Sequence, residues 1–205
     1  MEFEQIRSIL ETSSLAERKE FLETYNFQNN IYTNYKAYYR EYIIANLVHK
    51  DLWFVIALIE LAEDLQLFDT TIASISWKLY KEKHAAIYLK ITILDYFAKY
   101  PFENKAEIEN LLLQKQKEAN NELIKTQLAT NLLILYPEKT IYQQNLYEIA
   151  AKTTDYRCLI RLLNNIEQYA ALNKTGFNET ILSKIKENDL SKSRSVAVKI
   201  GEMLV

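Results

Sequence analysis

The sequence predicts an all-α protein built from stacked helical hairpins, and three observations lead to that fold class. The 205 residues include only two glycines and two prolines, far fewer than sheets and long loops use at their turns. Tyr100-Pro101 and Tyr136-Pro137 stand 36 residues apart, each closing a helical stretch. Apolar residues between such markers recur with helical spacing, and a fixed period of about 20 to 50 residues is typical of repeat architectures.

Helical spacing of apolar residues, with caps and prolines as boundaries, predicts eleven or twelve helices along the chain. Asp51 is placed to cap one of them, and Pro101 and Pro137 each end one. The predicted helices cover residues 2–11, 14–25, 30–48, 52–67, 70–81, 85–100, 104–118, 121–136, 139–152, 154–171, 178–188 and 192–204.

Residues 1–49 form an N-terminal group of two short helices followed by a longer one. Its third helix is rich in tyrosine, and two of these, Tyr32 and Tyr39, fall on the shoulder of the predicted core face. That core face consists of side chains at steps of four, three, four and three, namely Ile31, Tyr35, Tyr38, Tyr42 and Ala45.

Residues 50–205 divide into helix pairs whose first helices are apolar on more than one side. The run Leu52–Ile59 is apolar all round, and the helix at 85–100 carries two opposite apolar stripes. A helix of this kind needs neighbours on both sides. We therefore expect one residue in the middle of each first helix to be almost fully buried: Ile56, Leu94, Leu128, Leu163 and Ile200.

The first helices begin near residues 52, 85, 121, 154 and 192, at steps of 33, 36, 33 and 38. This spacing resembles the HEAT and armadillo class of helical repeats over roughly residues 50–205. The resemblance implies a right-handed α-solenoid of antiparallel helical hairpins, with residues 1–205 forming a single domain. Tetratricopeptide repeats have a similar period, but the small residues that they use at fixed sites are missing here.

The composition indicates a cytoplasmic protein without a strong electrostatic field. The chain carries 25 basic and 27 acidic residues, for a formal charge of −2. This balance argues against nucleic acid and anionic lipid as partners. The N-terminal residues include glutamates and no long apolar core, unlike a secretory signal. The longest apolar run, Leu52–Ile59, is far shorter than the roughly 20 residues that span a bilayer.

Residues with catalytic or ligand-binding chemistry form no motif, so we expect neither an enzyme nor a cofactor or metal site. His49 and His84 lack the short spacing of metal ligands, and Cys158 lies on an apolar stripe where cysteine acts as a small hydrophobe. Carboxylates such as Glu60, Glu63 and Asp64 are typical of solvated helix faces, although the sequence alone does not exclude a paired-carboxylate site. Phosphate loops built on glycine are excluded, because both glycines stand alone.

Fifteen tyrosines are many for this length. An A- and T-rich genome would explain them together with the abundant Asn, Lys and Ile, whereas interfaces also favour exposed tyrosine. On the second hypothesis at least one of two regions touches a protein partner, either the tyrosine-rich third helix or the helix at 139–152. The second helices of the pairs are expected to form the binding surface of the solenoid. The residues that we expect to bind a partner are Tyr32, Tyr39, Lys78, Gln143, Tyr147 and Glu148.

The function that we expect is non-catalytic binding of another protein by a helical-repeat scaffold. In architecture the chain resembles bacterial immunity proteins that neutralise a cognate toxin, which makes a toxin domain one candidate partner. Two alternatives stay open. One is a HEAT-like nucleic-acid-binding protein of the DNA-glycosylase type, although those proteins are basic and this chain is not. The other is a structural subunit of a larger assembly. The sequence does not indicate an oligomeric state.

Overall fold

The structure is a computed structural model that describes residues 2–27, 35–82, 85–169, 172 and 176–203. All the regular structure in these ranges is helical, and no strand occurs among them. The prediction of an all-α protein is confirmed. Three residues to which the sequence analysis assigns a place lie outside the described residues: Ile31, Tyr32 and His84.

Twelve α-helices lie in the described part of the chain, within the range that the sequence predicts. Most of their ends differ from the predicted ends by one to three residues, as expected for helix termini. The helices are α1 Phe3–Thr12, α2 Leu15–Thr24, α3 Lys36–Asn46, α4 Leu52–Asp64, α5 Thr70–Lys81, α6 Ile87–Lys99, α7 Lys105–Glu118, α8 Glu122–Leu135, α9 Thr140–Lys152, α10 Tyr156–Gln168, α11 Phe177–Glu187 and α12 Arg194–Met203, with a 3₁₀ turn at Asp189–Lys192.

Short polar side chains start many of these helices. Asp51 accepts a hydrogen bond from the backbone N–H of Phe54 at 3.0 Å, which confirms its predicted role as the N-cap of α4. Asn121 does the same for Ile124 at 3.1 Å. Such caps satisfy N–H groups that have no partner within the helix. Gly176, with φ of +89°, starts α11 in a backbone conformation that favours glycine.

The chain divides into two compact units, Met1–Pro101 and Phe102–Val205. In the first unit α4 packs against α2, α3 and α6, and α5 packs against α3 and α6. Six consecutive α4 side chains, Phe54 to Ile59, are buried. Lys99 Nζ of α6 donates to a carboxylate oxygen of Glu63 on α4, 36 residues earlier. The ring of Tyr88 lies beside that of Trp53, so α4 and α6 run in the same direction.

In the second unit α8 packs against α7, α9 and α10, while α10 also contacts α12 and α9 contacts α11. Buried polar side chains join α8 to α10. Asn165 Nδ2 donates to Gln127 Oε1 at 3.1 Å and to Thr130 Oγ1 at 3.0 Å. Arg161 Nε donates to the same oxygen of Gln127 at 2.7 Å. These bonds hold the two helices in one register, since a shifted register would leave buried polar groups without partners.

The residues predicted for the middle of each first helix are buried as expected. None of the five is more than 9% exposed, and three have no exposed surface. Contacts between helices two positions apart in the chain, such as α4 with α6 and α8 with α10, are compatible with a helical repeat. The prediction that residues 1–205 form a single domain stays a prediction.

The predicted core face of α3 was wrong. The structure buries Tyr39, Ile43 and Leu47, whereas Tyr35 and Ala45 are exposed. The predicted and observed stripes both have helical spacing and are displaced from each other on the helix. The aliphatic side chains of Ile43 and Leu47 lie only on the observed stripe. Because Tyr39 lies on the same stripe, burial of these two side chains also buries Tyr39.

Replacing a buried leucine by alanine should destabilise either unit strongly. Leu94→Ala and Leu128→Ala each remove methyl groups from sites with no exposed surface, so each should cost about 2–5 kcal/mol. Urea unfolding followed by circular dichroism measures this cost. Ile141→Ala, at an exposed position of α9, is the control and should stay within about 1 kcal/mol of the parent. Equal small shifts in all three variants would contradict the assigned core.

Candidate functional site

The sequence-predicted partner residues of the first unit are not brought together at its surface. Tyr39 is fully buried, with its ring edge-on to those of Phe3 at 6.1 Å and Phe27 at 5.9 Å. Its prediction as an exposed partner-binding residue is therefore corrected. Tyr32 lies outside the described residues. Lys78 is exposed on α5, and its role in binding stays a prediction.

The other three predicted partner residues lie together on α9. Glu148 is exposed, while Gln143 and Tyr147 are half-buried. The Tyr147 ring lies 5.5 Å from that of Phe177, so part of its surface is already used in packing against α11. A role for these residues in binding stays a prediction, with Tyr147 less accessible than its sequence position suggested.

An open groove of about 310 Å³ passes beside Glu148 between α8 and α9. Its lining carries both charges, with Lys125 and Lys152 beside Glu122 and Glu148. Lys152 Nζ lies 3.8 Å from Glu148 Oε2, and Thr153 Oγ1 donates to Glu122 Oε2 at 2.7 Å. These groups of the groove thus form an ion pair and a hydrogen bond with one another. The lining favours neither a polyanion nor a polycation.

A feature that the sequence analysis missed is a pair of exposed aromatic side chains. Trp53 of α4 and Tyr88 of α6 are each 57% exposed. Their ring centroids are 6.0 Å apart, with 31° between the ring planes. Leu52 and Val48 are exposed beside Trp53 in the chain. Tryptophan and tyrosine are enriched at interfaces, which makes this Trp53–Tyr88 pair the strongest candidate for a site in the described residues.

The pair is exposed because of its position in the helices. Leu52 and Trp53 belong to a run that we expected to be covered on every side, but burial begins only at Phe54. Trp53 lies in the first turn of α4, and Tyr88 lies in the first turn of α6. One sequence signal could have revealed the pair: Trp53 and Tyr88 stand 35 residues apart, close to the repeat period.

Carboxylates continue the same face along both helices. Glu60 and Asp95 follow Trp53 and Tyr88 by seven residues, which is about two helical turns and returns to the same side of each helix. We call Leu52, Trp53, Glu60, Tyr88 and Asp95 the α4–α6 face.

The pKa of Glu60 is raised by burial and by neighbouring carboxylates. Desolvation, together with the charges of Glu63, Asp64, Asp95 and Glu23, raises the pKa of Glu60 to about 7. Because Glu60 is exposed, water weakens both the desolvation contribution and the repulsion from the nearby carboxylates. The carboxylates come from α2, α4 and α6, so the packing of these helices assembles the charge.

Lysines at the edge of the face are engaged in ion pairs. Lys99 donates to Glu63, whose carboxylate is mostly covered. Burial raises the pKa of Glu63, and the Lys99 hydrogen bond opposes that rise. Lys19 Nζ lies 2.9 Å from Oδ2 of the N-cap Asp51. These two ion pairs place a lysine beside Glu63 and another beside Asp51.

Comparisons of the chain with protein-family models, with curated proteins and with solved structures give no match. Within the described ranges, no group of three or more His, Cys, Asp or Glu side chains is arranged to hold a metal ion. None of the helices described above has the length and apolar character needed to cross a membrane. The assignment of the candidate site therefore rests on the geometry of the described residues.

Replacing Glu60 by glutamine should stabilise the protein at about pH 8 and change little at about pH 4. Folding raises the pKa of Glu60 from about 4.5 to about 7, so the folded chain binds this proton more tightly than the unfolded chain. Stability then falls as the pH rises between those values. Glutamine does not ionise, so the Glu60→Gln variant does not lose stability in this way as the pH rises. Urea unfolding of both proteins across this pH range measures the difference.

Glu109→Gln is a control that should respond with the opposite sign. Hydrogen bonds from Lys139 and Tyr142 lower the pKa of Glu109, so its stabilisation is present above the ordinary pKa and is lost as the pH falls. At about pH 8 this variant should be less stable than the parent, whereas Glu60→Gln should be more stable. Shifts of the same sign at that pH would contradict the charge environments described.

Proposed function

We propose that this protein is a non-catalytic scaffold of HEAT-like helical repeats that binds another protein through the α4–α6 face. The observation that carries the proposal is the Trp53–Tyr88 pair, two large aromatic side chains exposed side by side. Aromatic anchors of this kind supply much of the binding energy in protein interfaces. A toxin domain neutralised by an immunity protein of this architecture is the candidate partner, by the architectural resemblance given above.

The rigidity of the supporting helix favours this role. Immediately after Trp53, six consecutive side chains of α4 are buried against neighbouring helices. Asp51 caps the start of α4 and is itself held by Lys19. The backbone that carries Trp53 is therefore ordered before a partner arrives, and pre-organisation reduces the entropy lost on binding.

The repeat architecture in this proposal is supported by the register of contacts within each unit. Lys99 pairs with Glu63 at a separation of 36 residues, and Asn165 bonds to Thr130 at a separation of 35. Both separations fall within the period of helix starts in the sequence. A right-handed α-solenoid of antiparallel hairpins would produce such a register.

The two alternative functions have less support at this face. Nucleic acid is bound mainly through cations that neutralise phosphates, whereas the α4–α6 face carries carboxylates around Glu60. A role as a structural subunit would also use an exposed aromatic pair, and it differs from the proposal in requiring a permanent assembly. Reversible binding by a folded, independently purified protein separates the two.

Replacing Trp53 by alanine should weaken partner binding at least 10-fold, because an aromatic anchor often contributes about 2 kcal/mol or more. Tagged parent and variant proteins would be incubated with an extract of the source organism and, separately, with the product of an adjoining gene. Bound proteins would be identified by mass spectrometry, purified and titrated by calorimetry. Tyr88→Ala should act in the same direction.

Tyr156→Ala is the matched control, since Tyr156 is an exposed aromatic residue at the start of α10. This variant should retain the partner. The melting temperatures of all three variants should stay close to that of the parent, because surface substitutions usually change stability by about 0.5 kcal/mol or less. Unchanged affinity of both Trp53→Ala and Tyr88→Ala would reject the proposed function.

A further inference from the structure

We infer that the first unit has a second interaction surface, on α5 and the start of α6, and that this surface binds an acidic segment of a partner protein. It consists of three lysines and two aromatic rings, which we call the lysine–aromatic cluster: Trp77, Lys78, Tyr80, Lys81 and Lys90. None of these residues belongs to the α4–α6 face, so the inference goes beyond the proposed function.

The sequence concentrates positive charge in this part of the chain. Between Asp69 and Asp95 there are four lysines and a single acidic residue, Glu82, whereas the whole chain has 27 acidic and 25 basic residues. Lys78, which the sequence analysis predicts to bind a partner, lies within this stretch and is exposed on α5. A local excess of one sign of charge attracts groups of the opposite sign.

Packing arranges the lysines in one row with the aromatic rings. The rings of Trp77 and Tyr80 are stacked, with centroids 4.9 Å apart and 4° between the ring planes. Lys81 Nζ lies 5.5 Å from the centroid of the Trp77 ring, and Lys90 Nζ of α6 lies 5.7 Å from that of the Tyr80 ring. Lys78 precedes Lys81 by three residues, which makes the two lysines neighbours on the surface of α5. The cluster therefore combines ammonium groups from two helices.

The charges of these lysines are available to a partner. A cation–π contact orients an ammonium group without supplying an anion that neutralises it. Among the residues that the structure describes, none of the three lysines of the cluster forms an ion pair. Lys19 of the same unit, in contrast, pairs with Asp51. The carboxylates of a partner would thus meet lysines that are already oriented, which reduces the side-chain entropy lost on binding.

The same contacts favour an acidic peptide segment over a nucleic acid. Single-stranded nucleic acids bind through aromatic faces on which their bases stack. In the cluster the two rings face each other, an ammonium group lies over each ring, and Phe97 contacts the Trp77 ring edge-on at 5.7 Å. The cluster also lacks arginine, whose planar guanidinium matches phosphate best. Carboxylates require only the exposed ammonium groups.

A fluorescence titration reports binding at the cluster itself. The chain has two tryptophans, so the Trp53→Phe variant leaves Trp77 as the only tryptophan reporter. Trp77 is half-buried and lies beside the Lys81 ammonium group, so a carboxylate that binds this group changes the surroundings of the ring. Nona-glutamate, titrated into this variant in low-salt buffer, should change the Trp77 emission to saturation, and added salt should reverse the change. Nona-lysine should leave the emission unchanged.

Lysine variants in the same background locate the binding. Lys78→Gln with Lys81→Gln should weaken nona-glutamate binding at least about threefold, because two of the ammonium groups are lost. The matched control is Lys50→Gln with Lys117→Gln, two exposed lysines outside the cluster whose removal changes the net charge equally. Control binding should stay within about a factor of 1.5, since distant surface charges are screened. Lys78→Arg with Lys81→Arg preserves both charges and should retain the binding.

Four results would overturn the inference. Trp77 emission that nona-glutamate leaves unchanged is the first, and equal weakening by the two glutamine pairs is the second, because binding would then follow net charge alone. The third is tighter, Lys78- and Lys81-dependent binding of an oligothymidylate of equal length, which would assign the cluster to nucleic acid. The fourth is a dimer of the parent, seen by sedimentation and dispersed by Lys78→Gln with Lys81→Gln. The capture experiment with Trp53→Ala tests a different surface, so either proposal can fail without the other.

Discussion

The burial of α4 between its neighbours is the constraint on which the first unit depends. Six consecutive side chains, Phe54 to Ile59, are buried, which covers every side of the helix rather than one stripe. Each fully buried large apolar side chain contributes about 1.5–3 kcal/mol, so α2, α3 and α6 must all pack against this segment. The same packing orders Trp53, which lies just before the buried run and projects into solvent.

The second unit meets the same constraint with different chemistry. Its central helix, α8, is also buried on more than one side, but Gln127, Thr130 and Asn131 lie among the buried residues. Asn165 and Arg161 of α10 supply partners for Gln127. A buried polar network tolerates only the register in which its members are paired, whereas an apolar interface such as that of α4 tolerates small shifts. The two units thus use shape and hydrogen bonding, respectively, to align neighbouring helices.

The α4–α6 face acquires its properties as a by-product of this alignment. Parallel packing of α4 and α6 places Trp53 beside Tyr88 and brings Glu60 into the field of Asp95, with Glu23 contributed by α2. None of these side chains is required to cover the core. Their exposure gives the unit a rigid surface that combines apolar area with carboxylates.

The sequence by itself determined the all-α class, the approximate bounds of the helices, the Asp51 cap and the burial of Ile56, Leu94, Leu128, Leu163 and Ile200. These features depend on local spacing and on side chains that favour one environment strongly. Tertiary structure alone decided that Tyr39 is buried and that Trp53 is exposed. Tyrosine and tryptophan suit either environment, so their placement depends on how far the neighbouring helices extend. The raised pKa of Glu60 has causes of both kinds. Burial and the charges of Glu63 and Asp64, which lie on α4 itself, are the largest, whereas Asp95 of α6 and Glu23 of α2 add to the shift only because the helices pack together.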